Sequence, residues 1–210
     1  LFNPSDLPLA WDECHDICLG NNDNFPSYKY AFSSDVCGKN DAHNITEKLT
    51  DEAIEFMRKN SDTNFLTWIN YQDPHPMFIC PEPYHSMFDW RTIELPESFY
   101  IDDNKLPHRC RVWKKHSKME MCSEEDAKKA IAIYMGQIRY IDDMVGKLIS
   151  FLKSEKLYDS TMIVFMSDHG ELSGDFGMFH KLPVFYDSLA KITLIIRNPF
   201  EKWKVKKYNG

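Results

Sequence analysis

A carboxylate and an imidazole stand side by side directly after an apolar segment of the chain. Residues 161–166 read Thr-Met-Ile-Val-Phe-Met, and residues 167–171 read Ser-Asp-His-Gly-Glu. The apolar run predicts a strand covered on both faces, and ligand sites of open α/β sheets gather at the carboxyl ends of strands. Asp168 and His169 can bind one divalent cation through a carboxylate oxygen and a ring nitrogen. The same pattern is typical of a polar strand end in which Gly170 makes a turn, so these residues alone leave both interpretations open.

Two further side chains have the chemistry to act on an anionic group. His75 lies in Asp-Pro-His-Pro, residues 73–76, where prolines restrict the backbone on both sides. An imidazole can donate a proton near neutral pH. Lys181 follows Gly-Met-Phe-His, residues 177–180, and can pair with an anion. Taken singly, a loop histidine and a solvated surface lysine are the more common interpretations of these two residues.

Hydrophobic periodicity predicts the elements that must position these residues. Thr50 is expected to cap a helix over residues 51–58, and residues 64–71 to form a buried strand that ends at Asp-Pro-His-Pro. Ser123 opens a helix of about thirty residues, and residues 80–122 are expected to be loops with at most short helices. The predicted apolar stripe of the long helix consists of Ala127, Ile131, Tyr134, Ile138, Ile141, Val145, Leu148 and Leu152. A last buried strand covers residues 192–196, and the succession indicates an α/β fold with a largely parallel sheet.

Composition sets the limits within which these elements fold. The 210 residues are 43% hydrophobic, enough for the core of one domain, and the net charge of −7 argues against a nucleic-acid partner. No apolar run approaches the roughly 20 residues that span a bilayer. We divide the chain into an irregular N-terminal segment (1–45), an α/β portion (46–200) and a basic tail (201–210) whose lysines are expected to be solvated.

Two features bear on the origin and the compartment of the chain. It lacks an initiator Met and a signal peptide, so we expect it to begin inside a larger protein. Six cysteines and the sequon Asn44-Ile45-Thr46 favour an oxidising, extracytoplasmic location, whether secreted, periplasmic or lysosomal.

The order of these motifs resembles the sulfatase family of the alkaline-phosphatase superfamily over nearly the whole chain. The resemblance is tightest from residue 160 to residue 199. The segments that carry it are Tyr28-Lys29-Tyr30, residues 51–56, residues 73–76, residues 134–146, Ser-Asp-His-Gly-Glu, Gly174-Asp175-Phe176-Gly177, Lys181 with Phe185-Tyr186-Asp187, and residues 194–199.

The resemblance implies both a fold and a set of site residues. It implies an alkaline-phosphatase-like sandwich with a largely parallel central sheet flanked by helices, incomplete at its N-terminus. Asp168 and His169 would be ligands of Ca²⁺, with Mg²⁺ as the alternative; many relatives have Asn at the second position. His75 and Lys181 would contact the sulfate ester and assist the departure of the leaving alcohol. The implied reaction is metal-dependent hydrolysis of a sulfated small molecule or carbohydrate.

The chain also departs from the family pattern. The family's formylglycine nucleophile arises in a Cys/Ser-x-Pro/Ala-x-Arg motif, which this sequence lacks. We expect the formylglycine, with two further Asp ligands, in a missing N-terminal part of the same domain, which would be a partner of this chain. The pairs at 102–103 and 142–143 do not replace those ligands, because neither follows an apolar strand, and the second is expected on a solvated helix face. Residues 191–193 read Lys-Ile-Thr where relatives usually have Arg-Val-Pro. Without a nucleophile, these 210 residues alone are expected to be inactive.

Two alternatives stay open at this point. One is a phosphatase, phosphodiesterase or phosphonate hydrolase of the same superfamily, which would share the Asp-His pair but use a Thr or Ser nucleophile. The other is a non-catalytic binding protein that kept the fold. Residues upstream of Leu1 would discriminate among the three.

Overall fold

The computed structural model describes residues 36–37, 45–76 and 78–200. The N-terminal stretch with Tyr28-Lys29-Tyr30, the sequon residue Asn44 and the basic tail lie outside these residues. The helices and strands of the described part are β1 (Val36–Cys37), α1 (Ile45–Lys59), β2 (Cys80–Pro81), α2 (His108–His116), α3 (Glu124–Ser154), β3 (Ile163–Met166), α4 (Asp187–Ala190) and β4 (Leu194–Arg197). Short 3-10 helices lie at Trp90–Thr92, Glu97–Tyr100, Asp103–Lys105, Met119–Met121, Tyr158–Ser160 and Asp175–Gly177. The expectation of loops and short helices between residues 80 and 122 is therefore confirmed.

The long helix α3 begins where the sequence predicts. Ser123 is its N-cap: its Oγ accepts the N–H of Asp126 at 3.1 Å, and the Asp126 carboxylate accepts the N–H of Ser123 at 3.2 Å. Such a capping box satisfies two backbone donors that the first helical turn leaves without partners. The helix runs for 31 residues, matching the predicted length.

The buried face of α3 differs from the predicted stripe. Ile138 is 47% exposed, whereas its neighbour Gln137 is fully buried. The buried residues are Ala127, Ala130, Ala132, Ile133, Gly136, Gln137, Tyr140, Ile141, Met144, Phe151 and Leu152. The cause lies at Gly136, where an added Cβ would stand 2.2 Å from the carbonyl oxygen of Tyr84. The absence of a side chain there lets the chain around Tyr84 pack directly on the helix backbone.

The first helix begins earlier than predicted. α1 starts at Ile45, so the assignment of Thr50 as its N-cap is wrong. Thr50 is buried within the helix, where its hydroxyl donates to the carbonyl of Thr46 at 2.7 Å and lies 2.8 Å from the Tyr71 hydroxyl. Threonine suits a cap and also suits a helix interior when its hydroxyl bonds to the carbonyl four residues earlier. Only the packing of Thr50 against Tyr71 distinguishes the interior position from the cap position.

The strands form two pairs among the described residues. β1 and β2 are parallel, with Val36 opposite Cys80. β3 and β4 are antiparallel, with Val164 opposite Ile196 and Met166 opposite Leu194. The parallel arrangement that the sequence predicts is thus present in the first pair and not in the second.

The sequence predicts that the apolar strands are covered on both faces, and the structure does not show this. Directly paired residues share a face of a sheet, and on one face of the β3–β4 pair Val164, Met166, Leu194 and Ile196 are all exposed. The segment 64–70 has no assigned strand structure, and its side chains alternate between half-buried and exposed. On the opposite face of the β3–β4 pair, Ile195 is 60% exposed and Ile163 and Phe165 are half-buried, so within the described residues neither face of this pair is fully covered.

Three clusters of buried side chains connect these elements. The first packs Phe78 and Phe179 on Ala127, Ala130 and Ile133 of α3. The second joins α2 to the chain that follows β3: Leu106, Cys110, Leu172, Met178, Leu182 and Leu189. The third joins α1 to the end of α3 through Met57, Phe151 and Leu152. The first two clusters support the loops that carry the predicted site residues.

Two findings bear on the membrane and compartment expectations. No helix in the described part of the chain combines the length and apolar character needed to cross a bilayer. Cys110 is a buried free thiol.

Candidate active site

The Asp168–His169 pair leaves the end of β3 on a firmly held backbone. Ser167 and Thr193 exchange two hydrogen bonds: the Ser167 N–H donates to the Thr193 carbonyl, and the Thr193 N–H to Ser167 Oγ, each at 3.1 Å. The next side chain, Asp168, is 83% exposed, and its Oδ1 accepts the N–H of His169 at 2.8 Å. One carboxylate oxygen is therefore held by the backbone, while the side chain as a whole stays exposed to solvent.

His169 and Lys181 meet across a separation of 12 residues. The Lys181 Nζ lies 3.0 Å from His169 Nε2, and this Nε2 lies 3.4 Å from an oxygen of Asp168. On the other side of the ring, Nδ1 lies 2.7 Å from the carbonyl of Gly170. A carbonyl oxygen only accepts, so Nδ1 carries the proton and Nε2 presents a lone pair. This tautomer is the one in which an imidazole can bind a cation through Nε2.

Gly170 lets this loop lie directly on α4. A Cβ at this position would stand 1.9 Å from the Ser188 carbonyl oxygen, a distance that backbone atoms cannot relieve without moving. The Gly170 N–H donates to the Leu189 carbonyl at 2.9 Å. The glycine that the sequence indicated as a turn residue is thus required by a close approach of two backbone segments.

The loop between His169 and Lys181 has an unusual backbone. Ser173, Phe176 and His180 have φ values of 46°, 58° and 69°, in the left-handed region that non-glycine residues rarely adopt. Gly174 and Gly177 have φ values of 94° and 66°. Conformations of this kind persist where surrounding contacts over-determine them, and they concentrate at functional sites.

Glu171, the last residue of Ser-Asp-His-Gly-Glu, points into this loop. Its Oε1 accepts the N–H groups of Ser173 and His180. Burial raises the pKa of the Glu171 carboxyl, and the backbone N–H groups oppose part of that rise. The sequence pattern indicates a functional motif but predicts no role for Glu171. The signal that could have indicated one is a carboxylate next to a glycine-rich segment.

His75 is exposed and, among the described residues, bonds only within its own loop. Its backbone N–H donates to the Gln72 carbonyl at 2.9 Å, and its Nδ1 lies 2.5 Å from the Pro76 carbonyl. Within the part of the chain that the structure describes, it makes no hydrogen bond to Asp168, His169 or Lys181. The structure thus brings together three of the four predicted residues.

A buried polar network holds the loop that carries His75. Asp73 accepts the hydroxyl of Thr46 in α1 at 2.5 Å and the Nε2 of Gln137 in α3 at 3.2 Å. The same Nε2 lies 3.3 Å from the Ile79 carbonyl, beyond the loop. The Asp-Pro-His-Pro segment is therefore held to two helices by Asp73 and Gln137, for which the sequence analysis predicts no role.

Phe78 connects the His75 loop to the Lys181 loop. It is fully buried three residues after His75. Its ring packs edge-on against Phe179, with centroids 6.3 Å apart, and is stacked with His180 at the same separation. One aromatic contact thus fixes the distance between the backbone near His75 and the backbone just before Lys181.

The acidic pairs considered in the sequence have structural partners. Asp103 forms an ion pair with Lys114 at 2.7 Å. In α3, Asp142 is exposed as expected, while Asp143 accepts the Tyr84 hydroxyl at 2.8 Å and pairs with Arg139.

The donor set at the end of β3 fits part of a metal site. Asp168 offers a carboxylate oxygen and His169 a lone pair on Nε2, on the same side of one loop. Among residues 36–37, 45–76 and 78–200, no group of three or more His, Cys, Asp or Glu side chains is placed to hold a metal ion. Because Ca²⁺ takes six to eight ligands, these two residues can supply only part of its coordination.

Comparisons with known proteins place the chain among enzymes of one family. A family model described as Sulfatase matches residues 9–207. The chain is 29% identical over 154 residues to an uncharacterized sulfatase of Escherichia coli, YidJ, covering 72% of this chain and 30% of that protein. It is 27% identical over 150 residues to a choline-sulfatase of Rhizobium meliloti, covering 69% of this chain and 29% of that protein.

A solved structure supports the same assignment. The phosphonate monoester hydrolase of Agrobacterium radiobacter matches with a TM-score of 0.66 at 25% identity, over 82% of this chain and 36% of that chain. The predicted α/β, alkaline-phosphatase-like fold class is thereby confirmed. The chain spans about a third of the length of the curated relatives it matches.

Proposed function

The chain belongs to the sulfatase family, and from that membership we propose that the whole protein hydrolyses sulfate esters. The observation that carries the proposal is the Lys181 ammonium held 3.0 Å from His169 Nε2, beside the exposed Asp168. A sulfate ester is an anion whose leaving oxygen gains negative charge as the bond breaks. A cation and cation-binding groups gathered at one point stabilise that charge.

Asp168 and His169 are proposed to hold a divalent cation, Ca²⁺ in the first instance and Mg²⁺ as the alternative. When bound, such an ion supplies Lewis-acid neutralisation of the ester oxygens. Asp168 offers Oδ2, which lies 3.4 Å from His169 Nε2. His169 offers the Nε2 lone pair, which the Nδ1–H bond to the Gly170 carbonyl keeps free of a proton. Because Nε2 has one lone pair, which here faces Lys181, binding of the ion would turn the ammonium from His169 to the sulfate.

Lys181 and His75 are proposed as the catalytic residues that this chain contributes. Lys181 binds a sulfate oxygen and offsets its charge. His75 presents Nε2 from a loop held by Asp73, and donates a proton to the departing alcohol. The contact of Phe78 with Phe179 and His180 is what couples the positions of the two residues.

The nucleophile is proposed to come from a part of the protein that precedes these residues. There a formylglycine would form the covalent intermediate, so this chain alone would not turn over substrate. The exposed apolar face of β3 and β4 is the surface on which that part would pack. An apolar surface of this kind is typical of one that another element covers.

A second candidate, phosphonate or phosphate monoester hydrolysis, has one observation in its favour. The phosphonate monoester hydrolase of Agrobacterium radiobacter shares the fold at 25% identity. A lysine beside a half-formed metal site would serve a tetrahedral phosphonate as well as a sulfate, because both are anionic at oxygen.

The substrate is proposed to be a sulfated small molecule or a sulfated carbohydrate. An extracytoplasmic location remains part of the proposal. The segment from residue 80 to residue 122, whose helix α2 packs on the chain around Lys181, is positioned to contribute to specificity. Arg109 of α2 donates to the Pro183 carbonyl at 2.5 Å, two residues beyond Lys181.

The proposal is tested with the full-length protein and two chromogenic substrates, p-nitrophenyl sulfate and p-nitrophenyl phenylphosphonate. We expect kcat/KM to favour the sulfate, and Lys181→Ala to lower kcat by about a hundredfold to a thousandfold. His75→Ala is expected to lower kcat by about a hundredfold or more. The matched control is Lys191→Ala, because Lys191 is an exposed lysine paired with Asp187 at 2.8 Å.

Two outcomes would contradict the assignment. Preference for the phosphonate, together with a Thr or Ser nucleophile upstream, would establish the second candidate. Near wild-type kcat in both Lys181→Ala and His75→Ala would refute the site.

A further inference from the structure

The path of the chain from His169 to Lys181 is held by backbone hydrogen bonds within it, such as Gly174 N–H to the Met178 carbonyl at 2.9 Å, and by the buried cluster that contains Leu172 and Met178. Between these residues the backbone passes through three non-glycine residues in the left-handed region, Ser173, Phe176 and His180. Such a path is not favoured by local conformational preference. The contact between Lys181 and His169 therefore depends on groups that fix the loop from inside.

Glu171 is placed to do this. Its Oε1 accepts the N–H of Ser173 at 3.4 Å, near the start of the loop, and the N–H of His180 at its end. The second bond closes the loop directly onto the residue before Lys181. Because the side chain is turned inward onto backbone donors, this oxygen is committed to the loop and not to an ion at the strand end.

The loop has a second support, in the buried cluster that packs on α3. Phe179, 1% exposed, and His180 both pack against Phe78. These ring contacts fix how far the loop lies from α3, but they do not join its two ends. Apolar contact among Leu172, Met178 and Leu182 brings the ends together, and the Glu171 carboxylate adds a hydrogen bond directly to residue 180.

We propose that Glu171 is a positioning residue, whose carboxylate ties residue 180 to residue 171 and so sets the Lys181 ammonium against His169. Its catalytic consequence rests on the proposed function, because it acts through Lys181. Its structural consequence does not, since the hydrogen bond to His180 is independent of any substrate.

Three substitutions separate this role from general stability. Glu171→Leu removes the acceptor and keeps an apolar side chain of similar size. Glu171→Gln keeps an acceptor oxygen at the same reach and removes the charge. Glu171→Asp keeps the charge but is shorter by one methylene, about 1.5 Å, so it cannot reach both N–H groups. Glu120→Leu is the control, because Glu120 is exposed on a short 3-10 helix.

The first measurement is amide hydrogen exchange of the full-length protein, read on the peptide that covers residues 172–181. We expect Glu171→Leu to exchange at least about fivefold faster than the wild type in this peptide, the factor that loss of one ordinary hydrogen bond produces. Glu171→Gln and Glu120→Leu are expected to exchange at the wild-type rate. If Glu171→Leu fails to fold, Glu171→Asp gives the decision by the same measurement.

The second measurement is the steady-state kinetics of p-nitrophenyl sulfate hydrolysis. Glu171→Leu is expected to lower kcat by about a hundredfold, as a misplacement of about 1 Å does, with a smaller change in KM and recovery of kcat in Glu171→Gln. A kcat loss equal in Glu171→Gln and Glu171→Leu would overturn the positioning role.

The two proposals fail in different ways. Wild-type exchange in a folded Glu171→Leu or Glu171→Asp protein overturns the role of Glu171, whatever the activity. A wild-type protein that hydrolyses neither sulfate nor phosphonate esters refutes the proposed function, while faster exchange in Glu171→Leu would still support the placement of the loop.

Discussion

Replacing Gln137 by leucine is a direct test of what holds the His75 loop. Gln137 is fully buried in α3, and its Nε2 donates to Asp73 at 3.2 Å and to the Ile79 carbonyl at 3.3 Å. Leucine has a similar volume and no donor. The substitution therefore removes two hydrogen bonds and leaves the packing of the helix nearly unchanged.

The magnitude follows from the groups that lose a donor. A bond to a carboxylate contributes about 1.5–3 kcal/mol, and one to a buried carbonyl about 1 kcal/mol. Gln137 Oε1 is buried without a hydrogen-bond partner among the described residues, so its removal returns about 1 kcal/mol of desolvation cost. We expect a net loss of about 1.5–3 kcal/mol in the free energy of unfolding.

The loss of these hydrogen bonds should also displace His75 and lower the catalytic rate. Asp73 lies two residues before His75, and a displacement of about 1 Å at a catalytic group lowers the rate by about a hundredfold. The assay is urea unfolding of the full-length protein, followed by kcat for p-nitrophenyl sulfate. Gln72→Leu is the matched control: it makes the same chemical change on an exposed side chain of the same loop. An unchanged urea midpoint and an unchanged kcat in Gln137→Leu would refute the network as the support of His75.

Two further predictions concern the end of β3. Asp168→Ala is expected to weaken calcium binding by more than about tenfold in a calorimetric titration, whereas Asp142→Ala, at a side chain 71% exposed, should bind normally; equal affinities would contradict the ligand role. Gly170→Ala is expected to destabilise the protein by about 1–3 kcal/mol, because its Cβ would stand 1.9 Å from the Ser188 carbonyl. Gly146→Ala, with nothing within 4 Å of its Cβ, is expected to be neutral or to stabilise α3 by up to about 1 kcal/mol; a thermal unfolding midpoint lower for Gly146→Ala than for Gly170→Ala would show this reasoning to be wrong.

The features that the sequence determined by itself are those encoded locally. The capping box that starts α3 needs only Ser123 and a residue three positions later. The placement of Asp168 and His169 at a strand end follows from an apolar run and the polar residues directly after it. These signals depend on neighbours within a few positions of the chain, so they survive without knowledge of packing.

Other features were decided only by the tertiary structure. Helix α1 begins five residues before Thr50, because Thr50 bonds to Thr46 and Tyr71 and not to a helix end. Gly136 determines which face of α3 is buried, because the chain around Tyr84 packs against the helix at this residue. Neither outcome can be read from periodicity, because both depend on which distant segment arrives at the helix.

The site itself combines the two kinds of information. His169 and Lys181 were each recognisable from their residue types and their place in the family pattern. Their contact at 3.0 Å depends on a loop whose backbone conformation is locally unfavourable and whose ends are joined by Glu171. A sequence pattern records which side chains are present near a strand end. Which of them meet is decided by long-range packing and by buried hydrogen bonds, whose free energy offsets the local cost of the path.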